Sequence, residues 1–283
     1  MTSAQSTATS ASTPAAAPGS MPRVRLIAIG DELLSGRRQD KHFSKLIELL
    51  QARGMRLQAA EFISDDEDDI VACLRRSFAT PDIVFCCGGI GATPDDRTRQ
   101  AAARALGVGL ALHPEAERLI GERCAEMAAK GQGSADMSTP ENQQRLQMGV
   151  FPVGAEIIPN VYNRIPGFYI HNHSFMPGFP VMAHPMMAWT LDTRYAQWHH
   201  REARVEHSFL VFGLPESRIT PALETLEQRW AGIHAFSLPN VGDSGGHPHI
   251  ELGVKGAPEA AAQALEWLRE QVLSLGGRLS PPA

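Results

Sequence analysis

The segment with the clearest chemical content is 88–98, which reads Gly-Gly-Ile-Gly-Ala-Thr-Pro-Asp-Asp-Arg-Thr. It follows an apolar run (83–87) typical of a buried strand and precedes a stretch with helical spacing (98–106). Glycines at such a step let backbone N–H groups approach a phosphate or another anion, and the helix start adds its dipole. Asp95 and Asp96 would repel a bare phosphate, so they predict a divalent cation that bridges to it. A glycine-rich turn with aspartate helix caps is the alternative.

A second glycine loop, Gly-Asp-Glu-Leu-Leu-Ser-Gly at 30–36, follows the first apolar run of the chain. It places Asp31 and Glu32 at a predicted strand end. A purely structural helix cap would more often use one small side chain, so two acidic residues favour a functional role. Because ligands bind at the carboxyl ends of strands in such sheets, two acidic loops there predict one cleft. Asp65 and Asp66 could line the same edge, with at most one of them functional, whereas most of 65–69 suits a solvated helix start. A capped helix entry is the alternative for 30–36.

Together these loops define the candidate site. Its acidic residues are expected to be Asp31 and Glu32 in one loop and Asp96 in the other, with Asp95 nearer the surface. The residues expected to bind the ligand or its phosphate are Gly30, Asp31, Glu32, Gly36, Gly88, Gly89, Gly91 and Thr93. The expected cofactor is a divalent cation, Mg²⁺ or a similar ion, on Asp95 and Asp96.

Other residue groups have both a chemical and a structural interpretation. Arg37, Arg38 and Lys41 could pair with ligand phosphates, with a solvated helix start as the default interpretation. Three histidine pairs invite a zinc hypothesis, but no third ligand stands at a suitable spacing, so polar contacts are favoured. These pairs are His171 with His173, His199 with His200, and His247 with His249. The four cysteines lack paired metal-ligand spacing and predict reduced core thiols of a cytoplasmic protein.

Hydrophobic periodicity supplies the elements that must position the loops. Predicted strands lie at 24–29, 55–63 and 83–87, and predicted helices at 41–53, 65–78 and 98–106. The alternating order predicts a parallel sheet with helices on both faces. Helices are also expected at 114–130 and 138–148, before short strands and turns from 152 to 185.

The two ends of the chain have different patterns. Residues 1–21, almost wholly Ala, Ser, Thr and Pro, predict a disordered tail. Near the other end, predicted strands lie at 205–212, 233–238 and 247–254, and predicted helices at 216–229 and 257–274. That order predicts a small α+β unit with a split βαβ arrangement at 203–276. The ligand-binding domain is therefore expected at 22–200.

Whole-chain composition excludes several classes of protein. Of 283 residues, 43% are hydrophobic and 20% charged, and 26 Lys and Arg against 31 Asp and Glu give a net charge of −5. This balance argues against a nucleic-acid or anionic-membrane footprint. No apolar run approaches the ~18 residues that would span a bilayer. Membrane, collagen-like, disulfide-scaffold and disordered classes are thereby excluded, which leaves a globular protein.

Five motifs resemble the MoaB/Mog molybdopterin-binding fold family, and in particular the N-terminal domain of the competence/damage-inducible CinA family. They are 30–36, Ser-Asp at 64–65, 88–98, Met-Pro-Gly-Phe-Pro at 176–180 and Gly-Leu-Pro-Glu-Ser at 213–217. The resemblance covers roughly 23–275. It implies a three-layer α/β domain with a mostly parallel sheet, a cleft for a phosphate-bearing pterin or nucleotide, and assembly into dimers or trimers.

The resemblance also implies an activity and the residues that carry it. CinA-type members are associated with metal-dependent cleavage of ADP-ribose at its pyrophosphate, whereas Mog-type members bind and adenylate molybdopterin. The two aspartates essential in Mog-type proteins fall on Asp65 and Asp96, which are therefore the expected catalytic residues. This sequence has His42 where the family usually has Asn, and Met182 where it has an acid. Deamidation of nicotinamide nucleotides, which a further CinA domain performs, is not expected of this chain.

Two functions stay open at this point. One is a metal-dependent ADP-ribose pyrophosphatase, and the other is a non-catalytic protein that binds or carries molybdopterin. Both take a small phosphate-bearing ligand as partner, without nucleic acid or membrane, and both are expected in a homo-oligomer. A purely structural oligomerisation module would leave both acidic loops unexplained.

Overall fold

The computed structural model describes residues 21–201, 204–242 and 247–280, in two compact units that divide between His199 and His200. The predicted tail at 1–21 lies outside the described residues, apart from Met21. None of the helices in the described ranges has both the length and the apolarity needed to cross a membrane.

The first unit is built on a six-stranded mixed sheet. The strands of this unit, inside and outside the large sheet, are β1 (Val24–Ile29), β2 (Leu57–Ile63), β3 (Ile83–Cys87), β4 (Leu110–Leu112), β5 (Val150–Pro152), β6 (Glu156–Ile158), β7 (Gly167–Ile170) and β8 (His173–Met176). The large sheet has the order β2-β1-β3-β8-β7-β6, and β4 pairs with β5 separately. Strands β2, β1, β3 and β8 are parallel, whereas β7 and β6 are antiparallel to their neighbours.

Helices cover both faces of this sheet. They are α1 (Asp31–Leu34), α2 (His42–Gln51), α3 (Glu67–Phe78), α4 (Thr98–Leu106), α5 (Pro114–Ala129), α6 (Pro140–Leu146) and α7 (Pro180–Arg194), with short 3-10 turns at Gln147–Gly149 and Ala196–Trp198. Neighbouring side chains on a strand point to opposite faces, so each buried strand contributes to two cores. In β3, Val84 packs with Ile70 and Leu74 of α3. The next residue, Phe85, packs with Leu46 of α2 on the other face. The predicted three-layer α/β fold with a mostly parallel sheet is confirmed.

Helix α7 differs from the sequence-based expectation of strands and turns up to residue 185. Pro180 occupies the first turn, where its fixed φ favours a helix and its missing N–H leaves no bond unmade. Pro185 lies inside the helix, where the loss of a backbone hydrogen bond lowers the stability of the helix. Burial of Met186 and Met187 in the core offsets that cost, a tertiary effect that local sequence does not reveal.

The second unit contains β9 (Val205–Phe212), α8 (Glu216–Arg229), β10 (His234–Asn240), β11 (His249–Gly256), α9 (Pro258–Ser274) and β12 (Arg278–Ser280). Its antiparallel sheet has the order β10-β11-β9-β12 and packs its own core around residues such as Phe209, Leu252 and Leu268. Strand β12 lies beyond the predicted α+β pattern, because its three residues carry too little periodicity to identify a strand.

Candidate functional site

The candidate site lies where neighbouring parallel strands of the large sheet end. Loops that follow β1, β2, β3 and β8 line one cavity of about 430 Å³. They contribute Glu32, Asp65, the segment 88–96 except Pro94, and Pro177–Phe179 with Met182. This position at the carboxyl ends of the strands is where open α/β sheets bind ligands.

Two glycines shape the loop after β3. Gly88 has φ +110°, and a Cβ there would lie 2.1 Å from the carbonyl oxygen of Ile29. Gly89 has φ +65°, and a Cβ there would lie 2.2 Å from the hydroxyl oxygen of Thr98. That hydroxyl donates to the Gly88 carbonyl at 3.1 Å, and the Thr98 amide donates to the Gly89 carbonyl at 3.0 Å. The loop therefore requires glycine at both positions and is fastened to the first residue of α4.

The loop carbonyls and amides have different roles. Among the described residues, the N–H groups of Gly89, Ile90 and Gly91 donate to no backbone acceptor. The Gly91 carbonyl instead accepts from the guanidinium of Arg99 at 2.5 Å. Protein donors hold the carbonyls of Gly88, Gly89 and Gly91, while the three consecutive N–H groups have no backbone acceptor, as an anion-binding loop requires.

Arg99 is an anchor that sequence analysis missed. Only 4% of its surface is exposed, and its guanidinium donates to the carbonyl oxygens of Gly91 and Gln147. The side chain of Gln144 adds a second support by donating to the Ala92 carbonyl at 2.6 Å. The available signal was the position of Arg99 on the buried face of α4, beside Ala102 and Ala103.

Asp31 and Asp65 bind each other's backbone across two strand ends. The Asp31 amide donates to Asp65 Oδ2 at 2.9 Å, and the Asp65 amide donates to Asp31 Oδ1 at 3.4 Å. Burial raises the pKa of Asp65, the amide of Asp31 lowers it, and the charges of Asp31, Glu32 and Asp95 raise it again. The net pKa of Asp65 is above its ordinary value, so its carboxylate is a stronger base than that of a fully exposed aspartate.

Asp96 closes the loop after β3 on itself. Its Oδ2 accepts from the Thr93 amide at 2.9 Å and from the Thr93 hydroxyl. Asp95 is exposed, and hydrogen bonding within the loop lowers its pKa. Both side chains line the cavity, one half-buried and the other at its surface.

Most of the predicted site residues come together. The cavity is lined by Glu32, Asp65, Gly88, Gly89, Gly91, Thr93, Asp95 and Asp96. Asp31 is hydrogen-bonded to Asp65, which lines the cavity. The Gly30 amide donates to the Ile63 carbonyl at 3.1 Å and so joins two strand ends. Gly36 is exposed and does not line the cavity. Of the predicted basic group, Arg38 lines it and Arg37 does not.

One wall of the cavity is formed mainly by apolar side chains. It contains Met148, Ile165 and Phe179, together with Asn163, whose amide nitrogen lies 3.7 Å from the sulfur of Met182. These residues come from separate segments of the chain, which only the fold brings to the glycine loop.

The histidine pairs make polar contacts. His173 is fully buried, and its ring nitrogens lie 2.7 Å from the His171 carbonyl and 2.7 Å from the Ser77 hydroxyl. Burial lowers its pKa to about 3. His199 Nε2 lies 3.1 Å from the Leu191 carbonyl, and His249 Nδ1 lies 2.9 Å from a backbone carbonyl. All four cysteines are buried and unpaired.

The acidic residues suit a cation that is bound mainly by its ligand. In the part of the chain that the structure describes, no three or more His, Cys, Asp or Glu side chains converge as metal ligands. Mg²⁺ needs only one or two protein carboxylates when substrate phosphates and waters complete its shell. Asp95 and Asp96 fit that requirement.

Comparison with known proteins places this site in a family. Residues 25–196 match the family model described as a probable molybdopterin binding domain. A CinA-like protein of Anaeromyxobacter dehalogenans is 31% identical over 90% of this chain and 60% of its own length. A protein of Aeropyrum pernix is 29% identical over 92% of this chain and 97% of its own. The chain thus spans about three fifths of that CinA-like relative.

A solved structure shows the same fold. The protein CinA of Thermoplasma acidophilum, whose function is given as unknown, is 24% identical and has a TM-score of 0.50. The match covers 60% of this chain and 97% of that one. With more than half of its residues matched by the family model, the chain belongs to the MoaB/Mog family of probable molybdopterin-binding domains and is CinA-like within it.

Proposed function

We propose that the cavity binds a nucleotide or pterin through its phosphate and that the protein hydrolyses a phosphoanhydride, as in ADP-ribose, with a divalent cation. The observation that carries this proposal is the convergence of the glycine-loop amides with Asp65 and Asp96 on one cavity of about 430 Å³. A volume of this size holds a small organic ligand.

Each group of the chain has a defined task in this proposal. The N–H groups of residues 89–91 stabilise the phosphate oxygens, including the negative charge that develops during cleavage. Arg38, at the rim of the same cavity, adds a positive charge. Asp65 orients the attacking water and accepts its proton, since its raised pKa makes it a better base than an ordinary aspartate.

Asp95 and Asp96 would hold the cation. Asp96 keeps Oδ1 for this purpose because its loop bonds use Oδ2. A bound Mg²⁺ or Co²⁺ would neutralise the phosphate charges.

The second candidate function is a non-catalytic molybdopterin carrier. The apolar wall favours it: Met182 contacts Asn163, so the cavity presents a sulfur and an amide where the resemblance predicts an acid. A flat pterin ring could rest on that wall without any reaction.

The release of AMP from ADP-ribose separates the two functions. We expect the purified protein to form AMP with Mg²⁺ or Co²⁺ and to stop when EDTA is added. AMP formation that survives the chelator would exclude the cation-dependent reaction. Folded protein that forms no AMP with either metal, and binds molybdopterin in the presence of EDTA, would establish the carrier instead.

A further inference from the structure

Charge is distributed unevenly around the candidate cavity. Four carboxylates line it, those of Glu32, Asp65, Asp95 and Asp96. The one basic side chain among its described lining residues is that of Arg38, which is exposed. A phosphate that approaches the loop amides therefore enters a mainly negative field, which opposes its binding. A further positive charge close to the loop would offset that field.

Arg99 places such a charge behind the loop. It lies in α4 with 4% of its surface exposed, and it does not line the cavity. Its guanidinium donates to the carbonyl oxygen of Gly91 at 2.5 Å and to that of Gln147. Gly91 itself lines the cavity, so a single residue lies between the guanidinium and the ligand space.

The charge of Arg99 has no carboxylate bonded to it. In the part of the chain that the structure describes, it forms no salt bridge, and its Nε is buried without a hydrogen-bond acceptor. Carbonyl oxygens carry no net charge, so these hydrogen bonds leave the positive charge in place. An unpaired buried charge destabilises a fold. An uncharged donor can hold a loop carbonyl without that penalty, as the Gln144 amide does for Ala92.

Asp96 contacts the same loop residue. A Cβ at Gly91 would lie 2.4 Å from Asp96 Oδ2, so this carboxylate packs against the Gly91 Cα while Arg99 binds the Gly91 carbonyl. Burial lowers the pKa of Arg99, and the attraction of Asp96 raises it. Arginine stays protonated at neutral pH in either case. The same attraction reduces the negative charge that Asp96 presents to a cation.

We propose that Arg99 is a positioning residue whose buried charge sets the balance of the site between anions and cations. It strengthens phosphate binding at the loop amides and weakens the binding of a free cation at Asp96. This role rests on the proposed function and adds an order of binding to it. The cation enters together with the phosphates, whose oxygens complete its shell, rather than ahead of them.

Two simple probes report the two signs of charge separately. Inorganic pyrophosphate is titrated into the full chain by calorimetry, and Mn²⁺ alone is titrated by electron paramagnetic resonance. In Arg99→Gln we expect pyrophosphate to bind about tenfold more weakly and Mn²⁺ about threefold more tightly. Arg99→Lys keeps the charge, so both affinities should stay within about threefold of those of the unsubstituted chain.

Two matched controls separate the charge from the support of the loop. Arg104→Gln removes the same charge from the same helix, but Arg104 is exposed, pairs with Asp68 at 2.7 Å and lies outside the cavity. Neither affinity should change by more than about twofold in that variant. Gln144→Ala removes an uncharged support of the Ala92 carbonyl, so Mn²⁺ should not bind more tightly.

Opposite shifts are the decisive result, because a collapsed loop would weaken both ligands together. Weaker binding of both probes, or no change in either, in Arg99→Gln would overturn the charge role. Arg99→Met is a second neutral variant in case Arg99→Gln does not fold. Failure of both neutral variants to fold would overturn the role as well, since Arg99 would then serve the fold. An unsubstituted chain that binds no pyrophosphate would instead overturn the proposed function, before any variant is compared.

Discussion

Asp65 and Asp96 differ in what holds them. Asp96 receives two donors from Thr93 inside its own loop, so its position depends on four consecutive residues. Asp65 receives the amide of Asp31, 34 residues away, and lies among like charges. The first is suited to hold an ion and the second to act as a base, which gives the two carboxylates separate tests.

Asp96→Asn should abolish hydrolysis without unfolding the loop. The amide oxygen can still accept from Thr93, so only the charge is lost, and AMP release should fall by about 100-fold or more. Asp136→Asn is the matched control: Asp136 Oδ1 accepts from the Ser138 amide at 2.9 Å and its hydroxyl at 2.8 Å, away from the cavity. Equal activity of the two variants in the AMP assay would rule out a role for Asp96 in the reaction.

Asp65→Asn should abolish hydrolysis and raise thermal stability at pH 7. The folded protein raises the pKa of Asp65, so the ionised carboxylate destabilises the fold at every pH above that folded-state value. The asparagine oxygen can still accept the Asp31 amide. Solvent screening keeps the effect small, and we expect the melting temperature to rise by less than about 2 °C.

The pH dependence of that gain checks its origin. As the pH falls through the folded-state pKa, Asp65 takes up a proton in the folded protein and the penalty disappears. Below the ordinary value of 3.8 the carboxyl group is neutral in both states, and the gain should vanish. Scanning calorimetry between pH 7 and pH 3 measures it. A gain that stays constant over this range would show that the charge is not its cause.

At the scale of elements, the glycine loop depends on Gly89 for two reasons that can be separated. An alanine at this left-handed φ of +65° would lower the free energy of unfolding by about 1–2 kcal/mol. In addition, its Cβ would collide with Thr98. Gly107 has φ +70° with nothing within 4 Å of an added Cβ, so it shares the first cost alone. Gly89→Ala should therefore lose more unfolding free energy than Gly107→Ala.

Ligand affinity should separate the same pair further. Displacement of Thr98 releases the carbonyls of the loop, so Gly89→Ala should weaken ADP-ribose binding at least about tenfold, while Gly107→Ala leaves it unchanged. Urea unfolding and calorimetry provide the two measurements. If both variants lose the same stability and both keep full affinity, the loop does not bind the ligand.

The sequence predicts this loop well because its signals are local. An apolar run, three glycines and a helix start lie within 24 residues, and the structure places β3 and α4 accordingly. The supports of the loop are not local. His42 meets the Gly178 carbonyl across 136 residues, and Arg99 meets Gln147 across 48. Periodicity carries no information on such pairs, so both contacts emerge only from the fold.

At the scale of the whole molecule, the candidate site belongs to one of two separately packed units. Every residue that lines the candidate cavity lies between Ile29 and Met182. The buried core of the second unit runs from Phe209 to Val272. Self-association, which the family resemblance implies, stays a prediction that light scattering of the full chain would test.

We expect residues 21–199 alone to fold and to bind ADP-ribose within about threefold of the full chain. The cores on both faces of the large sheet are built from residues of this unit, so its apolar burial does not depend on the second one. Circular dichroism measures folding and calorimetry measures affinity. A fragment that folds with an intact melting transition but has lost affinity would show that the second unit takes part in ligand binding, and the site would then have to be redrawn to include it.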